Sequence, residues 1–209
     1  MKKALLLVDI QNDFLPGGAL EVERGDEVIG VANRAMKHFD NIIATQDWHP
    51  ADHRSFASQH KGKNPGEFIE LNGLQQILWP DHCVPGTKGS EFAPGLDADK
   101  FTKVIRKGTD RDVDSYSGFF DNAHEKATGL EDYLRSQGID ELYIAGLATD
   151  YCVKYTALDA RRLGFNTSLI IEGVRGVELN PGDCDAAIAE MKEAGVRVVS
   201  IDNLQAEAD

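Results

Sequence analysis

Three side chains in this sequence could together run the chemistry of a thiol nucleophile, and each follows a short apolar run. Asp9 ends the run Ala4 to Val8, Lys107 follows Lys103 to Ile105, and Cys152 lies six residues past Gly146, beyond the run Leu142 to Ala145. The segment Gly146-Leu147-Ala148-Thr149-Asp150-Tyr151-Cys152 carries the chain from a predicted strand into a helix beginning near Asp150. The free amides of a first helical turn lower a thiol's pKa and can cradle a developing oxyanion. Asp9 could accept the thiol proton, and Lys107 could hold that carboxylate and favour the thiolate. Plainer roles exist for each: a buried cysteine packing helix on sheet, an aspartate capping a turn with Gln11 and Asn12, a lysine paired with a surface acid.

A second set has the composition of a metal site. In Asp47-Trp48-His49-Pro50-Ala51-Asp52-His53, positions two apart on an extended chain face the same way, so Asp47 and His49 can address one ion while Trp48 faces elsewhere. His82, in Trp79-Pro80-Asp81-His82-Cys83, would close the site, and His53 would reach it directly or through water. Two imidazoles and a carboxylate suit zinc, iron or manganese and leave positions open for water or substrate. Phe14, Trp79, Tyr116 and Phe119 fall in the same segments. Flat rings on several loops suggest a flat aromatic substrate held by stacking, or else core residues covering a sheet.

All of these residues must be brought to one edge. The second half of the chain repeats a helical stretch, a glycine and an apolar run three times, with Gly138, Gly164 and Gly195 as the stops. Thr128-Gly129-Leu130-Glu131 has capping-box spacing before the first of these helices. The later helices are expected from about 150 to 163 and 183 to 194, before strands at 167 to 171 and 196 to 201. With 4 to 8, 42 to 45, 103 to 105 and 142 to 145, this predicts six parallel strands, apolar on both faces, between helical layers: an α/β fold in three layers. Ligands in such a sheet bind beyond the carboxyl ends of the strands, where Asp9, Asp47, His49, Lys107 and Cys152 all fall. The stretch from about 48 to 100 breaks the rhythm with five prolines and is expected to be a long functional excursion with little regular structure, within one domain spanning 1 to 209.

The 22 basic and 35 acidic residues give a net charge of −13, which disfavours nucleic acid and anionic membranes as partners and suits a small neutral or cationic ligand. The apolar run before Asp9 has five residues, short of the roughly seven to fifteen of a secretory signal core, and no run approaches the ~18 of a membrane span. A cytoplasmic protein is expected. Cys83, Cys152 and Cys184 form neither an even framework nor a CxxC pair, which fits reduced thiols.

The stretches LLLVDIQNDF with PGGAL, TQDWHPADHRSFAS, WPDHCV, RKG with DSYSGFF, and GLATDYCVKYTALDA resemble the nicotinamidase and pyrazinamidase group of the isochorismatase-like cysteine hydrolases, from residue 4 to about 177. The resemblance implies a triad of Asp9, Lys107 and Cys152 in a three-layer fold with a six-stranded parallel sheet, and a cis peptide between Leu147 and Ala148. The amides of Ala148 and Cys152 would form the oxyanion hole. It implies one divalent transition metal, zinc ahead of iron or manganese, on Asp47, His49 and His82, with His53 or Ser55 as the variable further contact. It implies Phe14, Leu20, Trp79 and Tyr116 around the substrate. The reaction implied is hydrolysis of nicotinamide, with pyrazinamide as a surrogate, to the acid and ammonia. An amidase for N-carbamoyl or ureido substrates would keep the triad without needing the metal set, and a non-catalytic protein of the same fold that binds a metal or a small aromatic ligand would have no use for the triad. Whether the chain forms homo-oligomers is left open by the sequence.

Overall fold

In the computed structural model, which describes residues 2–205, the apolar runs become the strands of a parallel sheet. β1 (Lys2–Val8), β2 (Ile42–Asp47), β5 (Lys103–Lys107), β6 (Ile139–Leu147), β7 (Asn166–Arg175) and β8 (Arg197–Val199) pair in the order β5-β2-β1-β6-β7-β8. The expected domain's Met1 and residues 206–209 lie outside the described residues. β1 explains the pattern physically. Its Ala4, Leu6 and Val8 enter one core and its Leu5 and Leu7 the other, all at 1% exposure or less. Each such leucine contributes roughly 1.5–3 kcal/mol on burial, so a strand without polar alternation is stable only with both faces covered.

The two covers are helical. α2 (Leu130–Ser136), α3 (Lys154–Arg162) and α4 (Asp183–Glu193) place Leu130, Leu134, Ala157, Leu158 and Met191 into the first core. α1 (Glu27–Ala35) supplies Val28, Ala32 and Ala35, spaced four and three apart on one face, to the second. Among the described residues no helix is long and apolar enough to cross a membrane.

The strand order reverses between β1 and β6. Neighbouring strands there lead their connections to opposite sides, and a crevice opens at their carboxyl ends. Asp9 follows one of these strands, and the segment leading to Cys152 follows the other.

Three local expectations need correction. The 48 to 100 excursion contains a hairpin, β3 (Phe68–Leu71) and β4 (Leu74–Ile77), turned by Asn72 and Gly73 at φ 52° and 79°. Asn-Gly between two short apolar runs is a two-residue hairpin signal that composition alone obscured. The capping box is half formed: Thr128 Oγ1 accepts the Leu130 N–H at 3.2 Å, but Glu131 pairs with Arg135 and the cap position is Gly129. The helix expected from Asp150 begins as a π-helical turn, Thr149–Val153, before α3.

Candidate active site

Asp9 stands one residue beyond β1, fully buried, with φ at 47°. A left-handed backbone at a non-glycine residue costs on the order of 1 kcal/mol or more and persists where the surroundings impose it. Here Thr45 from β2 accepts the Asp9 N–H at 3.2 Å and donates to Oδ1 at 2.7 Å. Lys107 ends β5 in register with Asp47 at the end of β2, and both are buried.

The three protons of the Lys107 ammonium can be accounted for. They go to Asp47 Oδ1 at 2.6 Å, the Ser115 carbonyl at 2.8 Å and Cys152 Sγ at 3.3 Å. An ammonium has three donors. Asp9 Oδ2 lies 2.9 Å from the same nitrogen, outside these three. Asp9 and Asp47 oxygens and Cys152 Sγ lie within 4.8 Å of one another. A carboxylate oxygen thus lies beside both the ammonium and the sulfur, where it can receive a proton.

The electrostatics suit that transfer. Burial raises the Asp9 carboxyl, Lys107 opposes the rise and Asp47 adds to it. Burial pushes the Cys152 thiol well up, against the pull of Lys107. Burial works against a charged Lys107, but Asp47 and Asp9 hold it protonated well above the ordinary range. The resting site thus holds a neutral thiol, a carboxylate with unusual proton affinity and an ammonium in contact with the sulfur. Such a group can shift to a thiolate when a substrate displaces water.

Cys152 lies on the π-helical turn. The Ala148 carbonyl takes the Tyr151 and Val153 N–H groups at 3.1 and 3.0 Å, and the Leu147–Ala148 peptide is cis. The amide of Cys152 lies between those two donors in sequence.

Asp47 turns its other oxygen toward two imidazoles. His49 Nε2 and His82 Nε2 are 3.5 and 3.9 Å from Asp47 Oδ2. Their Nδ1 atoms are 2.9 Å from the Gly108 carbonyl and 2.8 Å from the Pro80 carbonyl. A carbonyl can only accept, so both Nδ1 atoms carry a proton, and both Nε2 atoms face the carboxylate. Burial and the neighbouring His49 lower His82 to about 4, so its ring is neutral at pH 7. Two imidazole nitrogens and a carboxylate within 4.8 Å, too far apart for good hydrogen bonds, fit a divalent ion. Ser55 Oγ is 2.7 Å from His53 Nδ1, which leaves His53 with Nε2 unsatisfied and fully buried.

Gln11 holds the backbone beneath this cradle. Its Nε2 donates to the Asp47 and Ser90 carbonyls at 2.9 and 3.0 Å, and its Oε1 accepts the Asp47 N–H at 2.8 Å. Gly108 sits at φ 66°, and a Cβ there would collide with the His49 ring. In Gly108→Ala the ring must move, so divalent ion affinity is expected to fall about 10- to 100-fold, read by competition with a chelator.

A narrow cavity of about 30 Å³ joins the two sets. Phe14, Leu20, Trp79, Tyr116 and Ala148 line it with Asp47, His49, His82 and Cys152. Tyr116 is pinned, its hydroxyl accepting from Trp79 Nε1 and Gln76 Nε2 at 3.2 Å each. Phe119 is not at the rim. It is 1% exposed and stacks on Phe165 in the core, the plainer of its two expected roles.

Three wall residues escaped the sequence reading: Asp114, Tyr151 and Val177. Val177 follows β7, so the carboxyl-end rule that found Asp9 and Lys107 could have found it. Asp150 places it, accepting the Val177 and Glu178 N–H groups at 2.9 and 2.8 Å.

Comparison with known proteins agrees with this architecture. The Isochorismatase domain family matches residues 3–203. A nicotinamidase of Escherichia coli is 49% identical over 203 residues, 95% of each chain. A nicotinamidase/pyrazinamidase of Acinetobacter baumanii superposes with a TM-score of 0.94 at 44% identity, covering 97% of this chain and 98% of that one. A pyrazinamidase of Pyrococcus horikoshii solved in complex with zinc does so at 0.78 and 39%, covering 96% and 99%. By sequence and by fold, this chain belongs to the isochorismatase family.

Proposed function

We propose that this chain is an amidohydrolase that converts nicotinamide to nicotinic acid and ammonia, accepts pyrazinamide, and serves salvage of the pyridine ring. The observation that carries this is the single cavity with a lysine-contacted thiol at one wall and the Asp47, His49, His82 cradle at another. A flat ring gripped at a nitrogen would present its carboxamide to the sulfur. Relatives named nicotinamidase at up to 49% identity over nearly the whole chain support the same substrate.

Asp9 Oδ2 takes the proton of the Cys152 thiol, and the sulfur adds to the carboxamide carbon. The amides of Ala148 and Cys152 receive the oxyanion. Collapse of the adduct breaks the C–N bond, and the leaving nitrogen takes the proton from Asp9 and departs as ammonia. A water then gives a proton to Asp9 and attacks the thioester, restoring the thiol and releasing the acid. Lys107 holds its charge throughout, stabilising whichever of Asp9 and Cys152 is anionic. Phe14, Leu20, Trp79 and Tyr116 stack on and orient the ring.

Asp47, His49 and His82 would hold the ion, which when bound supplies a Lewis-acidic partner for the ring nitrogen. Zinc is the ion we assign, since two imidazoles and one carboxylate with positions left open form a common zinc set and a zinc-bound relative exists. The excursion from 48 to 100 belongs to the one hydrolase domain and exists to deliver His82. The three free cysteines suit the reducing cytoplasm, where Cys152 stays a thiol.

A coupled ammonia assay over nicotinamide, pyrazinamide and an N-carbamoyl amino acid, with and without chelator, tests this reading. Turnover of the two ring carboxamides alone, lost on chelation and restored by zinc, is the expected result. Preferential turnover of the N-carbamoyl substrate, untouched by chelator, would overturn it.

A further inference from the structure

The stretch that carries Asp9 holds a second aspartate for which the reaction above has no use. Asp13 spends both carboxyl oxygens on backbone amides from two separate turns: Oδ2 accepts the Cys83 N–H at 2.7 Å and Oδ1 the Ala19 N–H at 3.3 Å. Its own carbonyl accepts the Leu20 N–H at 2.9 Å. Leu20 lines the cavity, and so do Phe14 and His82, the chain neighbours of Asp13 and Cys83. One side chain thus ties the turn that ends in Leu20 to the turn that follows His82, segments 70 residues apart in sequence.

The surroundings of Asp13 are shaped for this contact. Cys83 is fully buried with φ at 50°, a left-handed backbone that a residue with a side chain keeps only where its surroundings impose it. Asp13 holds the Cys83 N–H, and the Cys83 carbonyl accepts the His49 N–H at 3.2 Å. Phe14 meets the His82 ring edge-on, the centroids 5.6 Å apart. Two glycines leave room for Asp13: a Cβ at Gly89 would overlap its carboxyl group, and one at Gly18 would overlap its carbonyl. Neither glycine has a positive φ, so space and not backbone conformation is what glycine supplies there.

We propose that Asp13 is a positioning residue, a latch that fixes the Phe14 and Leu20 wall of the cavity to the His82 wall and so sets the space in which the substrate ring lies. It acts through backbone, touching neither the triad nor the imidazoles. A carboxyl group offers two acceptor oxygens where a carboxamide offers one, so aspartate can close both ends of the latch and asparagine cannot. The proposal rests on the reading that a ring carboxamide binds in this cavity. Walls that grip the ring act alike before and during the chemical step, so the latch governs KM more than kcat.

The test uses full-length protein saturated with zinc, read by ammonia release over a range of nicotinamide concentrations and by amide hydrogen exchange at Cys83 and Ala19. Asp13→Asn keeps the shape and loses one acceptor. Gly89→Ala keeps the carboxyl group and takes its space. In each, exchange at one or both amides is expected to quicken about 10-fold or more, and KM to rise about 10-fold while kcat stays within about threefold. If one variant does not fold, the other decides. A KM within about twofold of the unaltered chain overturns the proposal, whatever the exchange. So does a kcat that falls as far as KM rises, or loss of the fold in both variants, each of which marks a purely structural role. If the unaltered chain releases no ammonia from nicotinamide, the substrate reading itself fails and exchange at the two amides decides the latch alone; if it does and both variants match it, only the latch fails.

Discussion

Cys152→Ala protein releases ammonia from nicotinamide at a rate lower by on the order of 10⁴- to 10⁶-fold, the scale of removing a nucleophile whose partners act as a unit. The fold survives. Cys152 is 7% exposed against the first core, and deleting its sulfur costs about 1 kcal/mol, which lowers the melting temperature of a chain this size by about 2–4 °C. Lys107 keeps its bonds to Asp47 and the Ser115 carbonyl. Zinc uptake is expected to persist, since the cradle does not include the sulfur. Coupled ammonia release, a thermal melt and a zinc titration on one preparation check all three. Near-normal turnover would show that the thiol is not the nucleophile.

Lys107→Met carries the second large effect, on stability as well as rate. Asp9 and Asp47 share this cation, and all three are buried. Removing one partner of a buried ion pair costs roughly 3–5 kcal/mol, and here two carboxylates lose it together. A fall in melting temperature of roughly 6–20 °C is expected for metal-free protein, with kcat reduced at least about 10²-fold. The pH dependence identifies the cause. In the unaltered chain Asp47 is held low, burial opposing but Lys107 and His49 prevailing, so it stabilises above its unfolded pKa and that gain fades as pH falls. Without Lys107 burial raises both carboxyls. A group raised on folding stabilises most below its unfolded pKa and loses that contribution as pH rises through its folded value. The deficit of the variant should therefore be smallest in acid and widen toward neutral pH. A deficit independent of pH would mean that Lys107 matters for packing and not for charge.

Asp9 explains why the site tolerates so much buried charge. Its carboxyl is raised by burial although an ammonium lies 2.9 Å away, and its backbone sits at a positive φ. Both cost stability. The same burial raises the proton affinity of a carboxylate that lies beside a thiol, which is what a general base requires.

Most of the strand positions were legible because β1, β2 and β6 are apolar on both faces, a pattern that a parallel sheet between helices needs and an exposed strand does not. Asp47 and His49 were legible as a pair because extended backbone repeats every two residues. The hairpin at 68 to 77 was missed although Asn72-Gly73 announced it. Asp114 and Tyr151 carry no periodic signal. Asp114 lies in a stretch outside the strands and helices, and Tyr151 reads as an ordinary helix residue until the turn before it is known to be π-helical.

The sequence by itself determined the kinds of groups at the sheet's carboxyl edge, their order along the chain, and the thiol, carboxylate and imidazole chemistry they can perform. Those follow from side-chain identity and short-range periodicity, both local. Only the tertiary structure decided how the charges are shared. Asp47 meets Lys107 because β2 and β5 run in register, and the one ammonium is shared among Asp47, the Ser115 carbonyl, Cys152 Sγ and Asp9. His82 and Asp114 join the site through segments remote in sequence. Hydrogen-bond allotment and burial depend on distances between such segments, and no spacing within one segment encodes them.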